Sequence, residues 1–196
     1  METSRAAIRQ RGVSLLEVMV AVFILAVGVL GVAGLQVASK RGNFESVQRT
    51  TATYLAQDLL ERMRANVANL SVYTNAGAGR VIALGEDDAL TSTDCSSAGC
   101  DGAGLAMYDL YEFSRGLAGV AELQGTAETG GLVAPTVCIA GPATRPGFIV
   151  VSVAWRGMTA LSNPGLDACG ADSGRYDAEA GTDVLRRVLV VNAYVD

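Results

Sequence analysis

The chain has 196 residues, half of them hydrophobic and only 18% charged, which excludes a disordered chain and fits one domain joined to an anchoring element. The net charge of −5 argues against the basic face that phosphate binding needs, so no nucleic-acid partner is expected. Histidine is missing altogether, which removes the commonest general base and the commonest metal ligand; no enzymatic activity, cofactor or metal is expected.

The first twelve residues form a basic head, with Arg5, Arg9 and Arg11 against Glu2. Positive flanks stay in the cytoplasm, so the rest of the chain is expected outside it. From Val18 to Leu35 no residue is charged or strongly polar. As a helix these 18 residues would span about 27 Å, close to the thickness of a bilayer core. A secretory signal peptide has a shorter apolar region ending at a small-residue cleavage site. Here the helical pattern runs past Leu35 into a long amphipathic segment, so the segment is expected to be retained.

Glu17 opens the apolar run, where an acid is costly without a cation. A cut between Gly12 and Val13 would create a positive amine four residues before it. The stretch Gly12-Val13-Ser14-Leu15-Leu16-Glu17 resembles the prepilin leader site of the type IV pilin family. In that family a membrane peptidase cuts after the glycine and methylates the new N-terminus, and Arg9 and Arg11 match the basic leader. One departure is Val13, where family members usually carry Phe or Met. The string Gly28–Gln36 is similar to the branch of PilV-type minor pilins. Within it, Gly28, Gly31 and Gly34 share one helical face, as a groove for helix packing or a point of extension during assembly.

Residues 37–68 are expected to continue the helix, with Phe44, Val47, Thr51, Leu55, Leu59 and Met63 as the stripe that packs on a sheet. Residues 69–104 read as a long loop with one short strand at Arg80–Leu84. A second helix is expected from Asp101, as its cap, to Leu117. Strands are expected at Leu132–Ile139, at an edge because of Pro135, then at Gly147–Arg156 and Val184–Val195. The turn Gly141–Pro146 would join the first two. Ile149, Val151, Val153 and Trp155 would share one face of the middle strand. The fold class is therefore α+β and pilin-like, a long N-terminal helix laid on a small antiparallel sheet.

Cys95, Cys100, Cys138 and Cys169 all lie on the exported side, and an even count there reads as two disulfides. Of three connectivities, Cys95–Cys100 with Cys138–Cys169 is favoured, in keeping with the disulfide-bonded C-terminal loops of the pilins the chain resembles. Closing the larger loop would contribute about 3–4 kcal/mol in the chain-entropy picture. Two acidic clusters, Glu86 to Asp88 and Asp167 to Asp183, lack the spacing of a calcium-binding EF-hand and read as solvated loops.

The domain plan is a leader at 1–12, a membrane or fibre-core helix at 13–36, its amphipathic continuation at 37–68 and a loop-rich domain at 69–196. What the resemblance implies is a structural subunit processed by prepilin peptidase at Gly12 and Val13 and assembled through Glu17. Its partners would be the major pilin, other minor pilins and the inner-membrane pilus assembly machinery. It would sit in the inner membrane as a single-pass protein with a periplasmic domain, then in an extracellular pilus. A type II secretion pseudopilin is the nearest alternative. A single-pass membrane enzyme or receptor is the alternative from another class.

Overall fold

The computed structural model describes residues 12–84, 90, 94–96, 99–120, 122–125, 127–141, 145–165 and 167–195. All of the expected leader except Gly12 lies outside them, as do the acidic trio Glu86 to Asp88 and residues 142–144 of the expected turn. The chain divides into two units, Met1–Asn43 and Phe44–Asp196.

Helix α1 runs from Leu15 to Ala65. The Ser14 carbonyl starts it by accepting from the backbone N–H groups of Glu17 and Val18, and Glu17 in the first turn opposes the positive end of the helix dipole. In the first unit every described residue is solvent-exposed, and large apolar side chains recur from Val13 to Val37. The helix is long and apolar enough to cross a membrane.

In the second unit α1 buries Gln48, Ala52, Leu55, Ala56, Leu59, Leu60 and Met63. Leu55, Leu59 and Met63 match the expected stripe, but Val47 is 60% exposed and Phe44 and Thr51 are only half-buried. Their places are taken by Gln48, Ala52 and Ala56. Alanines without bulk let the helix backbone approach its neighbours, a gain that a count of large apolar residues overlooks. The helix also stops at Ala65 rather than at 68. Asn66 leaves the helical region (φ −134°), and its side-chain amide donates to the Gly102 carbonyl at 2.7 Å. A 3₁₀ turn at Val67–Asn69 follows, then a short helix α2 at Leu70–Tyr73 inside what the sequence suggests is loop.

Strand β1 is Arg80–Ala83. Helix α3 spans Gly102–Ala118, capped by Asp101, whose carboxylate accepts from the Gly104 N–H at 2.7 Å. It ends at Gly119 in the left-handed region (φ 78°), where a Cβ would also run into the backbone of Gly130 and Gly131. A small hairpin of β2 (Leu123–Gln124) and β3 (Ala127–Glu128) follows, an element the sequence reading does not anticipate.

The main sheet contains β1, β4 (Thr136–Ala140), β5 (Phe148–Arg156) and β6 (Arg186–Tyr194), antiparallel in the order β1-β4-β5-β6. β4 starts four residues later than expected and is an inner strand, not an edge. Ala134 turns the chain at φ 47°, so Pro135 stands before the ladder and removes no bond from it. Ile149, Val151, Val153 and Trp155 share the core face of β5 as anticipated. They pack in one cluster with Leu59 and Met63 of α1, Leu110, Phe113 and Leu117 of α3, and Val137 and Ile139 of β4. Each fully buried side chain of this size contributes about 1.5–3 kcal/mol.

The opposite face of the sheet is partly covered by the connection between β5 and β6. Cys138 of β4 is bonded to Cys169 of that connection, and Cys95 to Cys100. Tyr176 is fully buried there, its hydroxyl donating to the Ala134 carbonyl at 3.0 Å or to the Thr136 hydroxyl at 2.8 Å.

Candidate functional site

The first unit presents an apolar helix face with one acid. Val13, Glu17, Ala21 and Leu25 recur every four residues and line one side of a shallow hollow with Val18 and Val22. Among the described residues no cation lies within ion-pair distance of Glu17, although the side chains around it are apolar. Gly12 and Val13 precede the helix, outside regular secondary structure. At Gly28, Gly31 and Gly34 an added Cβ would meet nothing within 4 Å. The room those glycines leave is therefore not used by this chain itself, and a neighbouring helix could approach closely there.

The second unit is a scaffold of buried polar contacts that sequence reasoning missed. Gln48 reaches from α1 across 83 residues of sequence: its amide donates to the Gly131 carbonyl at 3.1 Å and accepts from the Val133 N–H at 2.9 Å. Asp109 of α3 accepts from the Tyr73 hydroxyl at 2.5 Å and from Arg62 at 3.1 Å, while Arg62 also pairs with Asp58. Burial, then the bond to Asp109, raises the Tyr73 phenol well above its ordinary range. Burial tends to lower Arg62, but its bonds to Asp58 and Asp109 outweigh that and raise it.

The loop from Asn163 to Asp183 is organised by Arg186, which is 2% exposed. Its guanidinium donates to Asn163 Oδ1 and to the carbonyls of Pro164, Asp167 and Cys169, and stands 4.0 Å from the Asp183 carboxylate. The carboxylate of Asp177 accepts from the backbone N–H groups of Gly181, Thr182 and Asp183; the bonds from Asp183 and Gly181, chiefly, hold it below the usual range. The carboxylates of Asp167, Asp177 and Asp183 are thus taken up as hydrogen-bond acceptors, and among the described residues the acids of this loop do not converge on a metal site.

A long apolar-to-amphipathic helix on a four-stranded antiparallel sheet, with two disulfides, defines a pilin-like α+β subunit. Residues 34–111 match the family described as type IV pilin Tt1218. Residues 8–33, which include Gly12, Val13 and Glu17, match the prokaryotic N-terminal methylation motif. The chain is thus a type IV pilin-type structural subunit with a prepilin N-terminus, a class that is structural rather than catalytic. Such a motif implies processing by prepilin peptidase and assembly into pili. No curated protein and no solved structure matches the chain.

Proposed function

We propose that this subunit is a PilV-type minor pilin that primes or modifies a type IV pilus and so supports adhesion or twitching motility. The observation that carries the reading is Glu17, a carboxylate on an apolar helix with no cation within reach among the described residues. Cleavage after Gly12 would free the amine of Val13, which the peptidase then methylates. The amine of an incoming subunit pairs with Glu17 of its neighbour. In a water-poor fibre core each charge is costly alone and tolerable when paired, so the pair sets the axial stagger between helices. Gly28, Gly31 and Gly34 give adjacent helices room to close on one another.

In this reading residues 1–12 are the leader, 13–36 the anchor and later the fibre core, and 37–68 the continuation that carries the domain of residues 69–196. The subunit waits in the inner membrane with that domain in the periplasm. The assembly machinery then moves it into a fibre built from the major pilin and other minor pilins.

Two variants test this. Gly12→Leu should block cleavage, and Glu17→Ala should remove the pairing charge. Both should leave the protein inserted in the membrane but depleted from sheared surface fibres. Wild-type recovery of both variants from fibres would refute the mechanism. Absence of the wild-type chain from surface fibres, with intact processing, would point instead to a type II secretion pseudopilin.

A further inference from the structure

Residues 157–161 connect the end of β5 to the loop beyond it and carry two exposed large apolar side chains, Met158 and Leu161. The segment is locked in place. Glu45 Oε1 of α1 accepts from the Met158 N–H at 2.7 Å, and the Arg187 guanidinium donates to the Thr159 carbonyl at 2.6 Å. Glu45 and Arg187 also face each other at 3.4 Å. Beside this segment lies an open concavity of about 440 Å³, lined by Ser46, Arg49, Trp155, Thr159, Leu161 and Arg187. Arg49 is exposed, and its guanidinium has no partner among the described residues.

The lining therefore carries two arginines against the single acid Glu45, in a chain whose net charge is −5. A rigid segment that offers apolar side chains beside an unpaired cation is the chemistry of an interfacial membrane contact: apolar groups at the headgroup–acyl boundary, cations on the phosphates. The tether allows it. Only nine residues lie between Leu35, where the apolar run ends, and Glu45, so even a fully extended chain places Glu45 within about 36 Å of that end.

We infer that the 157–161 segment, with Arg49, docks on an anionic lipid surface while the subunit is still anchored in its membrane. The inference rests on the anchor role proposed for residues 13–36. Docking would hold the unassembled domain against the bilayer, and extraction into the fibre would release it.

Trp155 is the chain's single tryptophan and lines the same concavity, so it reports docking without a label. The full chain is reconstituted in vesicles of brominated phosphatidylglycerol or brominated phosphatidylcholine, and Trp155 quenching is compared. Quenching should be strong with phosphatidylglycerol, weak with phosphatidylcholine, and reduced by salt. Arg49→Gln should lower the docking equilibrium about fivefold, the contribution of one basic side chain near an anionic surface. The double variant Met158→Ser/Leu161→Ser should abolish quenching. Equal quenching in both lipids, or no change in either variant, would overturn the inference. Alkaline extraction separates this failure from failure of the anchor: a chain that stays in the vesicles without being quenched refutes the docking alone, and a chain that washes out refutes both.

Discussion

Replacing Arg186 by Met tests the account of how the C-terminal loop is held. The guanidinium is almost fully buried and donates to one side-chain oxygen and three backbone carbonyls around the Cys138–Cys169 bridge. Met has similar length but cannot donate, so those oxygens lose their partner. Asp183, 3% exposed at its side chain, loses the only cation beside it among the described residues. Its Oδ1 already lacks a hydrogen-bond partner, so the carboxylate has little other support. Breaking one side of a buried pair costs about 3–5 kcal/mol. For a domain of this size each kcal/mol lowers Tm by about 2–4 °C, so Arg186→Met should lower it by about 6–20 °C. Thermal unfolding of the disulfide-intact protein, followed by circular dichroism, measures this. Adding Asp183→Asn should recover part of the loss, because the amide oxygen can still accept from the Asp172 N–H without a buried charge. A Tm within about 2 °C of wild type for Arg186→Met would refute the reasoning, because less than 1 kcal/mol would then be at stake.

Two further predictions concern α1 and α3. Gln48→Leu should cost about 1–3 kcal/mol by leaving the Gly131 carbonyl and Val133 N–H without partners, and a chemical denaturation midpoint unchanged from wild type would contradict this. Tyr73 has its folded-state pKa raised above the unfolded value of 10.0, so its contribution is complete below that value and lost as pH rises through the folded one. Spectrophotometric titration should therefore show the two fully buried tyrosines, Tyr73 and Tyr176, ionising above the ordinary phenol range; loss of one late-ionising phenol in Tyr73→Phe would assign it, and ionisation of Tyr73 near pH 10 in the folded state would contradict the burial argument.

The sequence was most informative where one physical demand repeats along the chain. The apolar run after Glu17, the alternation along β5 and the Asp101 cap before α3 each express a single period or a single cap, and the structure follows them. It was least informative where the demand is set by residues far away. Gln48 gives no local sign that Gly131 and Val133 will need its amide, whereas Val47 beside it reads as the apolar position. Arg186 looks like an ordinary charged residue at the start of a strand, and only the fold brings Asn163, Pro164, Asp167 and Cys169 around it. Pro135 signalled an edge strand because nothing nearby shows that Ala134 turns the chain before the ladder begins. Of the proposed site, the order Gly12, Val13, Glu17 is readable because the three lie within six residues of sequence, whereas the cation proposed for Glu17 would come from a neighbouring subunit.

The most direct measurement is the mass and N-terminal sequence of the subunit purified from its native membrane and fibres. The account predicts a chain that begins at Val13 with a methylated amine. A chain that still begins at Met1, or one cut at any other bond, would contradict it.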